Sequence, residues 1–164
     1  SSVGPNQRQI FLSQPFGSLI PSKMYILMVS QSACIGDVNK NGLYFDNFKL
    51  DDLKITANGL SVMEFELNFP NKYTSLYTRI IDSMNSDRHL ISHSKFGSGM
   101  TIITADCKDS ENNSFMQIEK HGHLEIHARF SEPLPEPINV IIIGVTSGSI
   151  EVDYDRRVST HYNF

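Results

Sequence analysis

The chain has 164 residues, 40% of them hydrophobic and 20% charged, and a formal net charge of −4 at neutral pH. That size and apolar fraction fit one domain with a sizeable core. The acidic balance argues against a dedicated nucleic-acid surface, which needs clustered Lys and Arg, and no apolar run approaches the ~20 residues of a membrane-spanning helix.

Residues 1–9 are polar and read as an arm, and residues 10–16, IFLSQPF, read as an edge strand whose ladder ends at Pro15. A single domain is expected over 17–164, with 1–16 as its N-terminal arm or edge strand. The run KMYILMVS, 23–30, is β-rich and apolar on both parities. Residues 33–47 read as a loop, because Gly36, Asp37, Asn39, Asn41 and Gly42 are turn formers. Phe45 and Phe48 are expected to plug that loop onto the core. Alternation of Leu53 and Ile55 with Lys54 and Thr56 predicts a strand, and Asn58-Gly59 predicts a two-residue hairpin into the next one. The parity of that second strand slips near Met63 and Glu64, the signature of a bulge. Tyr73, Leu76, Tyr77, Ile80, Ile81 and Met84 recur at three- and four-residue steps and predict one amphipathic helix, with Asn71 or Thr74 able to cap it. Residues 85–98 read as a polar loop, MTIITADC as a strand, and 108–114 as a second polar loop. FMQIEKHG, HLEIHARF, INVIIIGV and SIEVDYD complete the strands. Eight to nine short strands and one helix predict an all-β fold, an antiparallel jelly-roll sandwich of about eight strands.

Candidate chemistry is sparse. His121, His123, Glu125 and His127 share one strand face, with Leu124, Ile126, Ala128 and Phe130 on the other. Imidazoles and a carboxylate are metal-ligand types, so His121, His123 and His127 are the candidate metal residues. Side chains two apart on a strand stand roughly 6–7 Å apart in parallel, however, so a solvated polar face is the preferred reading. Asp37-x-Asn39-x-Asn41-Gly42 matches the opening of a calcium loop, but position twelve is Phe48 where a bidentate acid is required. Asn112-Asn113-Ser114 fits a glycosylation acceptor, a match common by chance. Cys34 and Cys107 are too few for a disulfide framework and are expected as thiols in a reducing compartment. No nucleophile elbow, phosphate loop or dinucleotide fingerprint occurs, so no enzyme activity and no cofactor are expected.

The stronger signal is surplus apolar surface. An antiparallel sandwich strand needs one apolar face. In INVIIIGV, Ile138, Val140 and Ile142 point one way and Ile141, Ile143 and Val145 the other. Residues 24–29 are two-sided as well. The helix can cover one surplus face, and a partner domain or subunit is the natural cover for the rest.

The stretch LEIHARFSEPLPEPINVIIIGVTSGSIEVDYDRRV resembles the C-terminal strands of the major capsid proteins of polinton-like viruses and Maverick transposons, of the double jelly-roll lineage. The resemblance runs through Phe130, Leu134-Pro135, residues 140–145, and Ile150, Glu151, Asp153, Arg156 and Val158. Upstream it includes Pro21-Ser22, Ala33 with Gly36, and Asn41 to Phe45, where Gly42 stands in place of the family's proline. Asn58-Gly59 and the SLYTRIIDSM helix follow in the family's order. It implies a single jelly-roll equivalent to the second half of such a capsid protein, either cut from a longer chain or reduced to one domain. It further implies a non-enzymatic, self-assembling protein located in the virion, or in the cytoplasm or nucleus of the host cell. Its partners would be copies of itself in a trimeric or pseudo-hexameric assembly, or a preceding jelly-roll domain. The expected interface residues are Ile141, Ile143, Val145, Glu151, Asp153, Arg156 and Arg157, together with the strand over 24–29. The alternative function is a lectin-like or receptor-binding module using loops 33–47 and 86–98.

Overall fold

Antiparallel strands dominate the computed structural model, in which residues 1–69, 71–84, 91–107, 120–146, 149–152 and 158–161 are described, Lys120 and the last two stretches by backbone only. In chain order they begin with β1 (Ser2–Val3), β2 (Gln9–Ser13), β3 (Leu19–Ile20) and β4 (Lys23–Ser30), followed by a short helix, α1 (Gln31–Cys34). β5 (Leu50–Ala57), β6 (Leu60–Glu66), α2 (Thr74–Met84), α3 (His93–Gly97) and β7 (Ile102–Asp106) come next. β8 (Lys120–His121), β9 (Leu124–Phe130), β10 (Ile138–Val145), β11 (Ser149–Val152) and β12 (Val158–His161) complete the described elements. Residues 1–16, read as arm or edge strand, therefore supply one edge strand to each main sheet.

Two four-stranded sheets, ordered β1-β10-β4-β7 and β2-β9-β5-β6, make a sandwich, with β3-β8 and β11-β12 as smaller pairs. The pairing is nested. β5 joins β6, β4 joins β7, β3 joins β8, β2 joins β9 and β1 joins β10, all antiparallel. The strands β1 to β10 thus form one long double-stranded ribbon rolled on itself. Its successive pairs alternate between the two sheets, and the β3–β8 pair lies along it between β4–β7 of one sheet and β2–β9 of the other, with Leu19 opposite His121.

Local chemistry explains the ribbon's closed end. Asn58 (φ 53°) and Gly59 (φ 79°) both take left-handed backbone between β5 and β6. Two successive positive φ angles make the type I′ turn, whose twist matches the flanking strands. Ile55 pairs with Met63 but Thr56 with Ser61, so Val62 is the extra residue of a β-bulge, one position before the predicted slip.

The core forms where the two inner faces meet. Met24, Ile26, Met28, Ile103, Ile138 and Val140 enter it from one sheet, and Leu53, Ile55, Leu124, Ile126 and Phe130 from the other. The α2 helix is the predicted one. It buries Leu76 and Ile80 and packs against β7 and α3.

Two expectations change. Residues 91–98, read as polar loop, contain α3, whose N-cap Ser92 accepts from the Lys95 N–H at 3.3 Å and whose Phe96 is fully buried. The strand over 24–29 was expected to offer an interaction surface, but its outward Leu27 and Val29 are only 7% and 1% exposed. The chain turns straight from β4 into α1, which packs against β4 and β10, and Ala33 is buried there. It then returns beside β4, where the Asp46 N–H donates to the Met28 carbonyl at 3.1 Å. The protein covers that surplus face from within.

Candidate functional site: the outward row of β10

The β10 strand alternates as a sandwich strand should, but with apolar residues on both sides. Ile138 and Val140 point into the core, whereas Ile141, Ile143 and Val145 point outward and are 37%, 51% and 43% exposed. Across the ladder they stand opposite Leu27, Tyr25 and Lys23 of β4. Lys23 Nζ lies 3.7 Å from Asp106 of β7, so an ion pair marks one end of the row. Gly144 has a local cause: a Cβ there would meet the Phe16 ring at 2.9 Å and Pro21 at 3.1 Å. Glu151 lies in β11, of which only the backbone is described, and Asp153, Arg156 and Arg157 lie outside the described residues.

At the other end of β10 the turn into the strand is tied to loop 31–47. Glu136 Oε2 accepts from Lys40 Nζ at 2.6 Å, from Ser30 Oγ at 2.8 Å and from Ser32 Oγ at 3.2 Å. The Lys40 hydrogen bond, then that of Ser30, holds the Glu136 carboxyl below its ordinary value of 4.5. A depressed carboxyl pKa adds stability that is present above the unfolded value and lost as pH falls through the folded one. Loop 31–47 should therefore loosen only below about pH 4.5. Glu136→Gln should remove that acid step at a cost of about 1 kcal/mol at neutral pH. Amide exchange of residues 31–47 across pH 3–7 measures both effects.

That loop also exposes Ile35, Val38, Leu43 and Tyr44. All four fall within loop 33–47, the surface expected of a binding module, though none was named there as a contact residue; the available signal was isolated apolar residues within a run of turn formers. Tyr44 packs against Gly99, and the Phe45 N–H donates to the Gly99 carbonyl at 2.9 Å.

The three histidines are exposed and fall on β8 (His121), between β8 and β9 (His123) and on β9 (His127). His127 packs on Phe11, ring centroids 4.4 Å apart, and His121 pairs with Leu19 in the β3–β8 ladder. His123 Nε2 lies 3.0 Å from Glu125 Oε1 and 3.3 Å from Ser13 Oγ. Serine and carboxylate meet the same ring nitrogen, whereas a proton relay needs one on each. Among the described residues no three His, Cys, Asp or Glu side chains gather around a point that could hold a metal. In the Asp37–Gly42 stretch, Asp37 Oδ1 accepts from the Asn39 N–H and Asn41 Oδ1 from the Leu43 N–H, both at 2.9 Å, so these oxygens close local turns. Among the described residues no helix is long and apolar enough to cross a membrane.

No family model, no curated protein and no solved structure matches this chain.

Proposed function

We propose that this chain is a structural, self-assembling domain of capsid jelly-roll type, non-enzymatic and acting through protein–protein surfaces. The observation behind the reading is the row Ile141, Ile143 and Val145, half-exposed on the regular outward face of a main-sheet strand. Apolar side chains aligned on a flat sheet face are the composition of an interface rather than of a solvated surface. The rolled ribbon supports the jelly-roll part of the reading, since that architecture wraps eight strands into two facing sheets. The resemblance of residues 124–158 to capsid strands supports the rest. Partners would be further copies, in a trimeric or pseudo-hexameric assembly, or a preceding jelly-roll domain, and the location a virion or the interior of its host cell.

Sedimentation velocity tests the reading. The protein should associate reversibly as its concentration rises through the micromolar range; a monodisperse monomer throughout would overturn it. A second reading, a binding module, draws on Ile35, Val38, Leu43 and Tyr44 exposed on one loop. Binding to a glycan array that is abolished by Tyr44→Ala would favour it.

A further inference from the structure

We propose that two copies of this chain join edge to edge through β2, paired antiparallel about a two-fold axis at Phe11 so that their β2-β9-β5-β6 sheets run on as one. The contact lies on the other sheet from the outward row of β10 and goes beyond the reading given for that row.

Three observations lead there. The first is a bare hydrogen-bonding edge. β2 is the outermost strand of its sheet, and among the described residues no strand lies on its far side. The Phe130 N–H donates to the Arg8 carbonyl at 2.9 Å, and the Gln14 N–H to the Leu124 carbonyl at 2.7 Å. Arg8 and Gln14 thus face β9, and by strand alternation Ile10 and Leu12 direct their backbone groups the same way. Gln9, Phe11 and Ser13 direct theirs to the edge. Exposed edges are ordinarily blunted by charge, proline, a bulge or a covering element. The opposite edge of this sheet, β6, carries Glu64, Glu66 and the bulge at Val62, and β7, an edge of the facing sheet, is packed by α2. Gln9-Ile10-Phe11-Leu12-Ser13 contains no charge and no proline, and its register with β9 is unbroken.

The second observation is apolar surface left open at that edge. Ile10 and Leu12 stand opposite Ala128 and Ile126 and face the core, yet Leu12 and Ala128 are only partly buried. Phe11, on the outer face, is 55% exposed although its ring lies against His127.

The third is self-complementarity. Set antiparallel about Phe11, Gln9 of one copy stands opposite Ser13 of the other, Phe11 opposite Phe11, and Ser13 opposite Gln9. All three direct their N–H and C=O to the edge, so each such pair exchanges two hydrogen bonds. Opposed residues in an antiparallel ladder lie on the same face. The two exposed Phe11 rings therefore meet on the outer face, and each partly buried Leu12 is covered on the core side by Ile10 of the other copy. Gln14 takes left-handed backbone (φ 49°) and turns the chain away, which ends the pairing after Ser13. Such a contact is isologous and closes on itself.

A charge swap tests this. Phe11 is more exposed than buried, so Phe11→Lys and Phe11→Glu should fold, as circular dichroism will show. Each variant alone puts like charges opposite one another and should raise the dimer dissociation constant roughly tenfold or more. Mixing the two variants should restore association. Ile143→Lys, which disables the outward row of β10, should leave this pairing intact. In that variant the amides of Gln9, Phe11 and Ser13 should exchange more slowly as concentration rises, while those of Ile10 and Leu12, already bonded to β9, should not change. If the wild type associates but Ile143→Lys does not, if the three amides are unaffected, or if the charged variants neither weaken nor rescue association, the inference fails while the assembly reading stands. Slowed amides without charge-swap rescue would mean that another strand occupies the edge, which also overturns it. Association of Ile143→Lys as tight as that of the wild type supports the pairing and counts against the β10 row. A wild-type protein that stays monomeric overturns both.

Discussion

Phe96→Ala should cost about 3–5 kcal/mol, read as a lower midpoint in urea. Phe96 is fully buried, and its ring centroid lies 6.0 Å from that of Tyr73 and 5.7 Å from that of Tyr77. Tyr73 in turn stacks on Phe69 at 4.9 Å and on His93 at 4.5 Å. Removing the central ring leaves a void among aromatic neighbours that are themselves held by one another, so the site cannot collapse to fill it. The loss also acts on backbone. α3 has five residues, far too few to persist without tertiary anchoring. Thr101 Oγ1 donates to the Phe96 carbonyl at 2.7 Å, so the entry to β7 should loosen with it. Faster amide exchange confined to 91–102 ahead of global unfolding would show that second effect.

Gly99→Ala should cost about 2–4 kcal/mol, from two sources that add. Gly99 sits at φ +94°, where an L side chain is strained, and the Tyr44 ring occupies the space a Cβ would need. Tyr44 is attached to the backbone bridge between Phe45 and Met100, so its displacement should disturb the return of loop 31–47 beside β4. The built-in comparison is Gly17→Ala. Gly17 has φ +64° and nothing within 4 Å, so only the backbone strain, about 1–2 kcal/mol, should appear. Thermal melts of the two variants separate strain from collision. Only the Gly99 variant should also become sensitive to limited proteolysis within 31–47.

The parts of this molecule legible in its sequence are those set by local periodicity. Alternation at 124–130 and 138–145 identified both strands and both of their faces, including the exposed positions of Ile141, Ile143 and Val145. Asn58-Gly59 located the hairpin because few other dipeptides accept two left-handed residues in succession. The three- and four-residue spacing of Leu76 and Ile80 located α2. Where an element spans little more than one period, no pattern repeats to be read. α1 and α3 have four and five residues, and β1 has two. The β4 strand failed for a different reason. Its two apolar faces were plain, but whether a partner or the chain itself covers Leu27 and Val29 depends on where residues 31–47 return, which is a matter of tertiary path. For the histidines, the contacts of His127 with Phe11 and of His123 with Glu125 and Ser13 depend on which strands lie beside β9, which spacing along one strand does not reveal.

The nested ribbon also offers the chain a route for folding. Ala57 and Leu60 meet across two residues, Leu27 meets Ile102, Ile10 meets Ala128, and Val3 meets Ile138. Each outer pair would close a long loop if it formed alone, at an entropic cost that grows with the length enclosed. Formed after the pair inside it, it closes a shorter loop: only residues 4–8 and 131–137 for the outermost pair, but residues 28–51 and 67–101 for the β4–β7 pair. A chain whose sequence separations predict slow assembly thus has a route by zipping outward from the Asn58-Gly59 turn. On that route the two strands at the ribbon's open end, β1 and β10, come together last, which leaves the edge of β10 at Ile138–Val140 exposed longest while the protein folds.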